Sequence, residues 1–207
     1  MTRSLVWRTV VAAALLVTMV ALPTPTASAG VTSQRAVITF DKFPDDPSAS
    51  RITWQVLREG SDGSWKVVDQ ASWRAGSGML GRAGRNECAK GRGWLPDGTY
   101  RLRYWRDYPG TLIKGRAFRL DDHRCHNGRR RVQLFIHTEQ GAHDRQCRNR
   151  PGDQVCRWEF PKINDYKSAG CIKMAPGDLA DLSRHFLRFY AAGVRYPKSR
   201  VVLRVVS

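Results

Sequence analysis

The sequence predicts a mainly β domain with one main helix near its end. Three observations carry this. β-Branched and aromatic runs recur along the chain, as in Ala36-Val37-Ile38-Thr39-Phe40 and Ile52-Thr53-Trp54-Gln55-Val56-Leu57. Turn signals such as Gly60-Ser61-Asp62-Gly63 and Pro96-Asp97-Gly98 punctuate them. One segment alone has helical periodicity: Leu179, Leu182, Phe186 and Phe189 recur at three- and four-residue steps.

The elements follow in order. Two strands cover residues 36–40 and 52–57, and Trp65-Lys66-Val67-Val68 returns after the first turn. Residues 76–93 form a glycine-rich, basic loop. Pro96-Asp97-Gly98 opens a strand from Thr99 to Trp105, and further strands are expected at 118–120 and 132–136, the last ending on His137. Pro176 suits a first helical turn, Asp178 and Asp181 suit a helix N-terminus, and Gly193 is a stop. A last strand runs from Arg200 to Val206.

Residues 1–29 read as a secretory signal. Arg3 and Arg8 give a basic front, residues 10–22 are almost wholly apolar, and Thr26-Ala27-Ser28-Ala29 supplies small residues for cleavage. Cleavage there leaves 178 residues (207 less 29), enough for one domain, with 30–35 as a short flexible lead and 36–207 as the folded unit. The formal charge of +17, or +15 without Arg3 and Arg8, favours polyanions, of which anionic wall polymers suit an exported protein best. Arg129-Arg130-Arg131 is read as a solvated basic face. Nucleic acid is not expected as a partner, because no recognition helix or RNA-binding signature accompanies the run.

Five cysteines in an exported chain leave one thiol over. Cys147 and Cys156 lie nine positions apart in a Gly/Pro/Arg-rich stretch and are expected to pair, for about 2.7 kcal/mol in the chain-entropy description; Cys88 with Cys125 then adds about 4 kcal/mol. Four cysteines allow three connectivities, so other pairings stay open. His123, Cys125, His126, Cys147 and Cys156 match no zinc spacing, and neither metal nor cofactor is expected. The unpaired thiol is assigned to Cys171 in Ser168-Ala169-Gly170-Cys171-Ile172-Lys173-Met174. Gly170 permits close backbone approach, Lys167 and Ser168 make the lead-in polar, and the following helix N-terminus favours a thiolate. A free cysteine with a histidine elsewhere is the usual material for covalent acyl transfer. Among the histidines, His137 stands out at a strand end; His185 lies in the helix, and His123, His126 and His143 in loops.

At these residues the chain resembles the L,D-transpeptidase family, the YkuD-type catalytic domain. That family has a histidine at a strand end and a nucleophilic cysteine within S-x-G-C-hydrophobic-basic-hydrophobic. Residues 94–102, WLPDGTYRL, are similar to the family's P-x-G-x-[F/Y] turn into a strand. The likeness spans about residues 52–206. It implies a YkuD-like β-sandwich or barrel in which the Cys171 thiolate attacks a peptidoglycan stem peptide. His137 is then the base, the Thr138 carbonyl orients it, and backbone N–H groups at Ala169, Gly170 and Cys171 form the oxyanion hole. Ser168, Lys173 and Tyr166 are assigned to substrate binding. The implied activity is that of an exported, monomeric, wall-associated acyl-transferase. The alternatives are a hydrolase (carboxypeptidase or endopeptidase) using the same site, and a non-catalytic basic wall-binding protein on the same scaffold. The chain departs from the family pattern at Ala169, where many members carry histidine, at Lys173, where arginine is commoner, and in the 34-residue His137–Cys171 spacing, which points to an insertion at about 141–164 stapled by Cys147–Cys156.

Overall fold

An eight-stranded sheet organises the chain, in the order β3-β2-β1-β10-β4-β5-β8-β9. The strands are β1 (Gln34–Asp41), β2 (Ser50–Glu59), β3 (Trp65–Ala75), β4 (Gly98–Pro109), β5 (Lys114–Leu120), β8 (Phe135–His137), β9 (Ile172–Lys173) and β10 (Val202–Val206). A separate two-stranded ribbon pairs β6 (His123–Arg124) with β7 (Arg130–Arg131). The helices are a single turn, α1 (Arg82–Arg85), and the long α2 (Pro176–Ala191). This computed structural model describes residues 33–191 and 201–207, so the signal at 1–29, positions 30–32 of the lead, the stop at Gly193 and the strand start at Arg200 lie outside the described residues. The described residues belong to one compact unit, Thr32–Ser207. None of their helices is long and apolar enough to cross a membrane.

Alternation builds the core. Ala36, Ile38 and Phe40 of β1 and Ile52, Trp54 and Val56 of β2 point to one buried face, while their neighbours are exposed or half-buried. α2 lies on that face. The predicted stripe of Leu179, Leu182, Phe186 and Phe189 is buried. Phe186 meets Trp54 at 6.3 Å and Phe118 at 5.4 Å between ring centres, edge-on in both cases. Burying each of these side chains contributes roughly 1.5–3 kcal/mol relative to exposure. The helix starts where Pro176 tolerates the loss of an N–H, and Leu179 N–H closes the first turn on the Ala175 carbonyl at 2.9 Å.

β10 sits between β1, to which it is parallel, and β4, to which it is antiparallel. β8 and β9 form the other parallel pair. The two ends of the sheet meet: Gly76, just past β3, donates to the Lys173 carbonyl at 2.9 Å and accepts from Lys173 N–H at 2.8 Å. The sheet therefore curls back on itself, and β9 is covered on the side away from β8.

The strand expected over 132–136 is shorter and shifted. Gln133 has φ +56°, in the left-handed region, which ends sheet pairing there, and only 135–137 are in the ladder. The solvated reading of Arg129-Arg130-Arg131 is corrected at its last residue. Arg130 is exposed and pairs with Asp122 at 2.7 Å, but Arg131 is buried.

Candidate active site

His137 ends β8, after Phe135 and Ile136 have anchored that strand in the core. Its Nδ1 is 3.0 Å from the Thr138 carbonyl. A carbonyl only accepts, so Nδ1 carries the proton and Nε2 keeps its lone pair. Burial, then the charge of Lys173, push the imidazole down to about 4, against the opposing pull of the Thr138 bond. The ring is therefore neutral at ordinary pH, as a base must be.

Cys171 leads into β9 and is the one described cysteine outside a disulfide. The pairings Ile136 with Ile172 and His137 with Lys173 put Cys171 at the bend just before β9, on the segment that runs beside β8. In this conformation Sγ lies 3.6 Å from the Gln133 carbonyl, and no hydrogen bond joins it to His137 among the described residues. Burial pushes the thiol up to about 11, with a backbone hydrogen bond from Phe135 and the charges of Lys173 and Arg131 pulling the other way. The expected thiolate at the helix N-terminus is thus corrected: desolvation outweighs the nearby cations, and the resting sulfur is a thiol.

The segment before Cys171 is fixed by buried polar groups. Ser168 Oγ donates to the Cys171 carbonyl at 2.5 Å and accepts from the N–H groups of Gly78 and Gly170, each at 3.2 Å. Ser168, assigned to substrate from sequence, is therefore fully engaged inside the protein. The Gly170 N–H, assigned to the oxyanion hole, is engaged by Ser168 as well. Arg131 completes the frame: it donates to the carbonyls of Ala169 at 2.9 Å, Gly93 at 3.0 Å and Trp94 at 3.4 Å, and also to that of Glu87. Gly170 has φ +124°, and a Cβ there would fall 2.0 Å from Arg131 Nη2. The close approach that requires glycine is to this guanidinium rather than to a ligand.

Two more assignments change. Tyr166 is 5% exposed. It packs edge-on against Trp158 and Phe160, and the Arg74 guanidinium lies 4.5 Å over its ring, so it secures the insertion instead of facing a substrate. Lys173 is ion-paired with Glu139 and is not free to meet a stem peptide. The Glu139 carboxyl is raised to about 7 by burial and by Asp165 and Asp153, with Lys173 opposing.

The disulfides are Cys88–Cys125, with Cα atoms 5.5 Å apart, and Cys147–Cys156, at 5.6 Å. The second closes part of the insertion, which has no regular structure beyond one short turn at Ala142–Asp144. These bridges engage every cysteine of the zinc grouping weighed from sequence, and Cys88, near Glu87 and His126, is likewise bridged. Arg131, Glu139 and Asp165 were missed by sequence reasoning. A carboxylate two residues after His137 was the visible signal for Glu139; nothing local marked Arg131 as the buried member of its run.

No protein-family model matches the chain, and no curated protein matches it. Among solved structures it is similar to the helical cell shape determining protein Pgp2 from Campylobacter jejuni and to a point mutant of Pgp2. Both are 15% identical at a TM-score of 0.41, covering 84% of this chain and 48% or 47% of theirs. The chain spans about half the length of those structures.

Proposed function

We propose that the chain is an exported cysteine acyl-transferase of YkuD-like fold that acts on peptidoglycan stem peptides in the cell wall. The observation that carries the reading is the parallel β8–β9 pairing. It sets the segment that carries the unbridged Cys171 against the strand that ends on a neutral His137, whose Nδ1 is tied to Thr138. Two disulfides support an oxidising, extracytoplasmic setting.

In the proposed reaction Sγ leaves the Gln133 carbonyl and turns toward His137 Nε2, which takes the thiol proton. Sulfur attacks a stem carbonyl, the amide C–N bond breaks, and His137 returns the proton to the leaving amine. An acceptor amine then attacks the thioester, forming a new C–N bond and releasing the thiol. With Gly170 N–H engaged, the N–H groups of Ala169 and Cys171 remain the candidate donors to the oxyanion. Water in place of the amine makes the same site a hydrolase.

Incubating the mature protein with a tetrapeptide stem and an amine acceptor separates these outcomes by mass. A cross-linked product that is lost in Cys171→Ala supports transfer, and shortened stem alone supports hydrolysis. The raised thiol and the missing Cys171–His137 hydrogen bond favour a second reading, a non-catalytic basic wall-binding protein. That reading predicts retention on purified wall polymer with no product of either kind.

A further inference from the structure

We infer that Glu139, Asp153 and Asp165 form a calcium site that clamps the disulfide-stapled insertion to the strand end beside His137. One carboxylate oxygen from each of the three lies within 4.8 Å of the others. Three oxygens no more than 4.8 Å apart share a point at most about 2.8 Å from each, close to the 2.3–2.6 Å of calcium ligands, so a small side-chain adjustment suffices for one ion to reach all three.

Two of these carboxylates are buried, and each has an oxygen with no partner. Glu139 is 4% exposed and Asp165 2%. Glu139 gives Oε1 to Lys173, and Oε2 accepts nothing. Asp165 Oδ2 accepts from the backbone N–H groups of Glu159 and Phe160, and Oδ1 accepts nothing. A buried carboxylate oxygen left without a donor is costly, and a cation is the partner that suits both at once. Three carboxylates with the Lys173 ammonium leave a formal −2 (−3 and +1), which one divalent ion neutralises. All-oxygen donors of this hardness suit calcium; waters would fill the remaining positions.

The placement gives the ion a task. Asp153 lies inside the Cys147–Cys156 loop, Asp165 follows the insertion, and Glu139 leaves β8 two residues after His137. His143 with Asp107 and Asp144 with Arg116 tie the start of the insertion to the sheet, and Tyr166 packs against its end; Asp153 lies between these anchors, in the disulfide loop. Bound calcium would tie it to the wall of the candidate site. The inference is independent of the acyl-transfer reading and holds equally for a non-catalytic protein.

The test uses the mature chain, treated with chelator and then titrated with calcium chloride. Native mass spectrometry should show one calcium per chain. The melting temperature should rise by about 5 °C or more at calcium a hundredfold above its dissociation constant. Asp153 is exposed, so Asp153→Asn should fold normally, melt within about 1 °C of the wild type without calcium, and bind calcium at least tenfold more weakly. Asp165→Asn should lose binding as well. No calcium uptake by the wild type, or an equal rise in melting temperature in Asp153→Asn, overturns the site.

Discussion

The sheet with its helix and the loops around Cys171 are held together by different forces. On the sheet side, Ile38, Phe40, Ile52, Trp54 and Phe118 are fully buried, and α2 packs aromatic rings into them. On the loop side the buried groups include Arg131, Thr138, Glu139, Asp165 and Ser168, joined by directed hydrogen bonds and stapled by disulfides. The first region is stabilised by apolar area, which tolerates small shifts. The second depends on individual donors and acceptors, where one lost partner leaves another group unsatisfied. The candidate chemistry sits on the second region, supported by the first.

The largest effect should come from the sheet side. Phe186→Ala removes the ring that meets Trp54, Tyr104 and Phe118, and should cost about 3–5 kcal/mol, measured by denaturant unfolding. In the protein that remains folded, alkylation of Cys171 should keep its wild-type rate. A change in that rate would mean that the two regions are not separable.

A smaller stability loss with a larger local effect is expected on the loop side. Arg131→Met takes the donors away from the carbonyls of Glu87, Gly93, Trp94 and Ala169 and should cost about 3 kcal/mol. It should also slow alkylation of Cys171 at a given pH, because a cation that favours the thiolate is gone. Arg131→Lys keeps the charge but loses the fork, so stability should recover less than reactivity does.

These expectations explain what sequence could and could not reveal. The apolar stripe of α2 and the alternation in β1 and β2 are periodic, and periodicity is visible without a partner. Trp73, by contrast, donates from Nε1 to Asp181 at 3.1 Å across 108 positions, and no local pattern announces that bond. The same holds for Arg131. It shares a basic run with two neighbours, and only the folding of the 76–97 and 165–171 segments around it decides which arginine is buried. Ser168 was legible as part of a motif, but its engagement with Gly78, Gly170 and Cys171 was not. The burial of Thr138, Glu139 and Gln140 was not legible, since polar residues after an apolar run read as leaving the core, whereas His137 at a strand end was legible from the apolar run before it. The pairing of β8 with the two-residue β9 was not, because so short a strand has no period to read.

The smallest effect in energy concerns pH. With Cys171 raised to about 11 against the opposing charges of Lys173 and Arg131, its alkylation rate should climb about tenfold per pH unit from 7 to 10 without a plateau. The sign for stability is that of any acid whose titration is raised in the folded state. The unfolded thiol loses its proton first, so between about 9 and 11 the folded state is progressively disfavoured as pH rises. A plateau in alkylation near pH 7 would mean that the loop side stabilises a thiolate and that desolvation does not govern it.

The most direct measurement is the intact mass of the mature protein, quenched in acid after seconds with a tetrapeptide stem. The account predicts one stem-derived acyl group, mapped to the peptide carrying Cys171, absent in Cys171→Ala and reduced at least a hundredfold in rate by His137→Gln. An adduct that forms at an undiminished rate without His137, or no adduct at all while the folded protein consumes stem, would contradict it.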